Sequence, residues 1–186
     1  NEDTFTYLYI PNIDNLEHEN GVYSDIVKDE MGKINNMLDS LSDINDLTIV
    51  ITADHGQINI DHDVIMDFSK YKNYFYGLPG IDFATAIYYV KSEMKESFEY
   101  LFNKDFKDRM YLFKTEEFLE NNIFGLGDAS SYFKINMGEY VSICKNGYCF
   151  INSEDTDEYL GTILGNHSGF SKDEMIIPLV VINNKK

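Results

Sequence analysis

Leu47-Thr48-Ile49-Val50-Ile51-Thr52-Ala53-Asp54-His55-Gly56 is the stretch on which the reading of this chain turns. Leu47 to Ala53 is an apolar run rich in β-branched residues, the pattern of a buried strand. Asp54 and His55 follow at its carboxyl end, where Gly56 releases the chain from the sheet. An acid and an imidazole side by side at that edge are placed to hold a metal ion or to act on a substrate.

Working upstream, Phe5 to Ile10 reads as a first strand, closed by Pro11-Asn12, and a polar segment runs from Asp14 to Gly21. Val22, Ile26, Met31, Ile34, Leu38 and Leu41 recur at three- to five-residue intervals, so the spacing predicts an amphipathic helix over Ser24–Ser42. Ser24 or Asn20 can cap its start, and acidic residues crowd its first turns. Asp43 to Asp46 turns the chain into the Leu47–Ala53 strand. Both strands are largely apolar, as in a sheet covered on two faces. A right-handed strand-helix-strand crossover makes them parallel, with their carboxyl ends on one edge, where open α/β sheets bind ligands. Asp14 and His18 leave the first strand on that edge and Asp54 and His55 leave the second, so the two pairs are expected to meet.

Downstream, Gln57 to Pro79 reads as an irregular excursion around a short helical piece near 63–70. A strand over Phe83–Val90, a helix over Glu93–Asn103, a short strand over Met110–Phe113 and a short helix over Thr115–Asn121 come next. Thr115 can cap that last helix, but Phe118 three residues on rules out a reciprocal capping box there. Asn146-Gly147 is a strong type I′ turn signal and predicts a hairpin over Tyr140–Ile151. It would set Cys144 opposite Cys149 in a non-hydrogen-bonded pair, with Cα atoms about 4.5 Å apart. A cross-strand disulfide and two packed thiols are both open on that spacing; a zinc site is not suggested. Gly161 to Gly169 is a glycine-punctuated loop. The apolar run Ile176–Ile182 is interrupted by Pro178, so its strand begins after the proline.

The charge balance, 15 basic against 32 acidic residues for a net −17, narrows the function. There is no basic stripe, so a direct grip on nucleic acid is not expected. A small anionic substrate would need a cation to meet it, which makes a metal site electrostatically sensible. No apolar run approaches the length of a membrane span. Three of the four histidines lie in loops at expected strand ends. Asp14 and His18, four residues apart, share a face in a helical turn. Asp54 and His55 end the buried strand, and His167 lies in Gly165-Asn166-His167-Ser168-Gly169, where small neighbours let the backbone approach closely. Imidazole and carboxylate donors together suit zinc or a similar ion. His62, in Asp61-His62-Asp63, reads as an exposed loop residue.

In this order, Asp-x-x-x-His, then Ala-Asp-His-Gly, then Gly-x-His-x-Gly resembles the second half of the alkaline phosphatase superfamily, nearest to its type I phosphodiesterase/nucleotide pyrophosphatase branch. The run from Gly165 through Ser171 into Asp173–Leu179 is similar to that family's closing segment, and Phe118–Gly125 also fits. The resemblance implies one partial domain over residues 1–186, an α/β/α sandwich around a mainly parallel sheet with a small β-hairpin excursion. Inserted elements would fall within 57–160. It implies two divalent ions, zinc foremost, one held by Asp14, His18 and His167 and the other by Asp54 and His55. It further implies hydrolysis of phosphodiester or nucleotide pyrophosphate bonds in a small phosphoester or nucleotide substrate. The family's further aspartate and its Thr or Ser nucleophile have no counterpart here: Thr52 points along a strand and Ser168 reads as a loop spacer. They are expected upstream of Asn1, leaving this stretch inactive alone and a sheet edge uncovered through which it could oligomerise. Phosphomonoesterase, sulfatase, phosphonate hydrolase or phosphoglycerate mutase activity, or a non-catalytic metal-binding module, are the alternative readings.

Overall fold

The computed structural model describes residues 3–66, 68–145, 147–152 and 162–184, with backbone alone at 62–66, 68–69 and 152. Residues Phe5–Ile10, expected as the first strand, pair with no strand among the described residues. Phe5, Tyr7 and Leu8 are 91%, 78% and 66% exposed, so their apolar side chains gain nothing from burial. Helix α1 (Asn12–Asn20) follows directly, stopped by Gly21 at φ +81°. Helix α2 (Asp25–Leu41) matches the expected span. Ser24 does occupy its N-cap position, yet the Ser24 hydroxyl makes no capping bond and is buried without a partner.

Strand β1 (Thr48–Thr52) is the predicted strand, but its neighbour is not the 5–10 stretch. It pairs antiparallel with the last strand, running from Thr48 opposite Asn183 to Thr52 opposite Leu179. Pro178 explains where that partner starts, since it cannot donate to a ladder. The parallel crossover is therefore not formed, and the expected mainly parallel sandwich is corrected to a mixed α/β fold with mostly antiparallel pairing. The physical reason is that Phe5–Ile10 forms no ladder among the described residues, so β1 has no parallel neighbour among them.

The excursion after Gly56 is more regular than the sequence suggests. Strand β2 (Ile58–Asn59) and strand β3 (His62–Met66) precede a short helix α3 (Phe68–Tyr71). His62, read as a loop residue, thus opens a strand; β-branched Val64 and Ile65 favour that over the helix expected from residue 63. Strands β4 (Gly80–Asp82) and β5 (Thr85–Tyr88), helix α4 (Lys95–Phe106), strand β6 (Met110–Lys114), helix α5 (Thr115–Glu120) and helix α6 (Ser131–Asn136) lead to strand β7 (Tyr140–Cys144). Thr115 is not the α5 cap. Lys114 is, with its N–H donating to Glu117, while the Thr115 hydroxyl donates to the Met137 carbonyl.

The expected hairpin is also corrected. Tyr148 N–H closes a turn onto the Lys145 carbonyl, but strand β8 (Tyr148–Asn152) then leaves β7 and pairs in parallel with β3. β7 instead lies in a four-stranded antiparallel sheet, β4-β5-β7-β6. Cys144 and Cys149 are consequently on different sheets, both buried, rather than opposite each other in one ladder. Asn146, half of the turn signal, and Gly161, the start of the glycine-punctuated loop, lie outside the described residues. Strand β9 (Gly165–Asn166), helix α7 (Lys172–Met175) and strand β10 (Leu179–Asn183) complete the chain.

The main core lies on this sheet, away from β1. Phe98 and Phe102 of α4 are fully buried against Tyr88, Phe75 and Tyr140, with ring centroids 5.3–5.9 Å apart. Edge and tilted ring packing of this kind adds about 0.5–1.5 kcal/mol per pair beyond the area buried. The fully buried Tyr88 hydroxyl is satisfied by Ser142 Oγ at 2.9 Å.

Candidate metal centre

Three segments far apart in sequence converge beside β1 and β9. Helix α1 places Asp14 and His18 one turn apart on the same face. Asp54 and His55 leave the end of β1, and His167 leaves β9. Two close backbone contacts fix these segments on one another. A β-carbon at Gly165 would fall 2.4 Å from the Glu17 carbonyl, and Leu164 N–H donates to the His18 carbonyl at 2.7 Å, so α1 lies directly on β9. β2 pairs antiparallel with β9, Ile58 opposite Asn166, and this brings the His55 loop to the His167 loop.

The expected meeting of the two acid–imidazole pairs therefore occurs, although the parallel crossover that predicted it does not. Asp14 Oδ1 lies 3.4 Å from His18 Nε2 and 3.8 Å from His167 Nε2. Asp14, His55 and His167 offer one ligand-type atom each, all within 4.8 Å of one another. The His55 and His167 rings stack at 3.7 Å between centroids, and His18 lies tilted 5.2 Å from His167. Asp54 Oδ1 is 3.8 Å from His55 Nε2, but its side chain is 67% exposed, so it stands at the rim. The side chains thus form one continuous cluster that cuts across the expected division into two sets.

The protonation pattern follows from the hydrogen bonds. His18 Nδ1 bonds the Gly165 carbonyl at 2.8 Å and His55 Nδ1 the Gly56 carbonyl at 3.1 Å. A carbonyl only accepts, so each Nδ1 carries the proton and each Nε2 is turned toward the carboxylates. Burial, reinforced by His55 and then His18 and partly opposed by Asp14, holds His167 below the usual histidine range. Burial and the neighbouring Asp14 push Glu17 up, while His18 and His55 pull the other way. Each Nε2 so turned can give a proton to the facing carboxylate or, deprotonated, share a cation with it. That donor chemistry fits a zinc-like ion.

Three residues in the site's frame were not singled out by the sequence reading. Gln57 Nε2 donates to Asp14 Oδ1 at 2.5 Å. Asn166 is buried, its Oδ1 accepting His167 N–H at 2.7 Å while its Nδ2 has no partner. Glu174 is buried too, accepting N–H bonds from Gly169 at 2.7 Å and Ser171 at 3.0 Å, with its carbonyl accepting Gly56 N–H at 2.8 Å. A signal for Glu174 existed: Ser171-x-x-Glu174 is a capping box, and both reciprocal bonds form. Ser168, read from sequence as a loop spacer, also acts as a tie. Its hydroxyl donates to Asp82 O at 2.6 Å and accepts Ala84 N–H at 3.1 Å.

No protein-family model matches the chain, and no curated protein sequence matches it. Solved structures do match, and they share the fold of this chain. Human ectonucleotide pyrophosphatase/phosphodiesterase 5 aligns with a TM-score of 0.62 and 16% identity, over 91% of this chain and 44% of that one. The inactive murine form in complex with AMP aligns at 0.57 and 17% identity, over 92% and 45%. Phosphonoacetate hydrolase from Sinorhizobium meliloti, in complex with phosphonoformate, aligns at 0.61 and 16% identity, over 93% and 44%. At these identities the likeness is one of fold, and the chain spans less than half the length of the structures it matches.

Proposed function

We propose that this chain carries the metal-binding half of a metal-dependent hydrolase of phosphodiester or nucleotide pyrophosphate bonds. The observation that carries the proposal is the convergence of His18, His55 and His167 on the Asp14 carboxylate, with the Nδ1 atoms of His18 and His55 held by backbone carbonyls. In this reading Asp14, His18, Asp54, His55 and His167 hold two divalent ions, zinc foremost. Bound there, the ions would supply positive charge to the phosphoryl oxygens and lower the pKa of a coordinated hydroxyl.

The chain's own residues do the rest. The backbone carbonyls of Gly165 and Gly56 hold the His18 and His55 rings in one tautomer. Asp54, at the exposed rim, is the ligand nearest to solvent and so to an incoming substrate. A net charge of −17 disfavours long polyanions and leaves a small phosphoester or nucleotide as the substrate class. The Thr or Ser nucleophile is proposed to come from residues upstream of this chain, in a single domain of which 1–186 is a part, with inserted elements within 57–160.

The test is turnover by the native protein, purified with its metal content measured. Hydrolysis of bis-p-nitrophenyl phosphate in preference to the monoester, lost in His18→Ala and His167→Ala, supports the proposal; a strong monoester preference overturns the diesterase reading. One observation favours a second reading, a non-catalytic metal-binding module: the Ser168 hydroxyl is committed to Asp82 and Ala84. Bound zinc without turnover of either ester would decide for it.

A further inference from the structure

Gln57 follows Gly56 and turns back beneath the cluster, where the residue is only 7% exposed. Its Nε2 donates twice to one residue, to Asp14 Oδ1 at 2.5 Å and to the Asp14 carbonyl at 3.2 Å. Both partners can only accept, so the amide has one workable orientation; turned over, its oxygen would face two oxygens. The oxygen that Gln57 holds is the same Oδ1 that faces His18 Nε2 at 3.4 Å and His167 Nε2 at 3.8 Å.

The other end of the amide makes the position informative. Gln57 Oε1 is buried with no hydrogen-bond partner, beside the Gly165 backbone. An unpartnered buried carbonyl opposes folding, and an aliphatic side chain of equal length would fill the same space without it. Packing therefore does not account for a glutamine here, whereas the two bonds to Asp14 do. We infer that Gln57 is a positioning residue of the metal centre: it locks the Asp14 carboxylate so that Oδ1 is presented to the ion that His18 and His167 face. The inference rests on the metal-centre reading above. Groups that orient a carboxylate ligand act on affinity through geometry, without touching the ion.

The test compares zinc binding by the unsubstituted protein and by Gln57→Met, which keeps the length and removes the donor. A competing chromophoric chelator reads the affinity, and cobalt(II) in place of zinc reads the geometry through its visible absorption. The substitution should weaken zinc binding by about 10- to 100-fold and alter the cobalt spectrum. The unfolding midpoint of the metal-free protein should stay the same or rise. Equal zinc affinity with identical cobalt spectra overturns the inference, as does a lower metal-free midpoint with an unchanged cobalt spectrum. A second measurement does not depend on the variant folding: in the unsubstituted protein the Gln57 side-chain amide resonances should move on zinc addition, and their failure to move overturns it. An unsubstituted protein that binds neither zinc nor cobalt overturns the metal-centre reading itself, an outcome distinct from equal binding by the two proteins.

Discussion

Gly56 and Asp173 approach so closely that a β-carbon on the glycine would fall 2.0 Å from the Asp173 carbonyl oxygen. The contact fixes the loop bearing Asp54 and His55 to helix α7, which in turn holds the loop bearing His167. Gly56→Ala must force these two segments apart. We expect a loss of about 3 kcal/mol, the upper end of overpacking penalties, and a fall in zinc affinity with it. Urea unfolding and zinc titration of the variant check both; a variant as stable as its parent would show that the contact is slack.

Glu174 makes the same connection through its carboxylate. Glu174→Ala leaves the Gly169 and Ser171 N–H groups without their acceptor and should destabilise the protein by about 2–4 kcal/mol, while Glu174→Gln, which keeps one acceptor oxygen, should lose about half as much. Equal losses in the two variants, read by urea midpoints, would mean that packing rather than hydrogen bonding dominates at this position.

His167 gives the centre a pH signature in the metal-free protein. Burial foremost keeps it below the ordinary histidine range in the folded state, so the unfolded chain takes up its proton at a higher pH than the folded one does. Stability should therefore fall as the pH drops below about 6.5. His167→Gln should flatten that slope, and midpoints measured at a series of pH values for both proteins check it. Parallel profiles would assign the slope to other groups.

The aromatic core serves as the control. Phe98 is fully buried among Tyr71, Phe75, Tyr88, Phe102 and Tyr140, so Phe98→Ala should cost about 3–5 kcal/mol through lost burial and the cavity left behind. Because none of those rings belongs to the cluster around Asp14, zinc affinity measured under folding conditions should not change.

The side-chain cluster of the candidate site was legible where chemistry and local periodicity agreed. Asp14 and His18 share a helical face, Asp54 and His55 end an apolar run, and His167 stands among glycines; each pattern is local, and the structure brings all five side chains together. Strand pairing was not legible, because it depends on partners that no local pattern names. Phe5–Ile10 has the composition of a strand but no ladder among the described residues, and Tyr140–Ile151 has a turn at its centre yet sends its two arms to different sheets. Gln57 was invisible for a related reason: a glutamine after Asp-His-Gly is unremarkable until the fold lays α1 across it.

Residues 3–10 hold one more consequence. Phe5, Tyr7, Leu8 and Tyr9 lie exposed, as do Val50 of β1 and Leu179 and Val181 of β10. A second copy seated on these side chains would contribute their burial by mass action, and the melting temperature would then rise with protein concentration. A melting temperature independent of concentration would show that no second copy covers them; a dependence would make stability here a property of the solution as much as of the molecule.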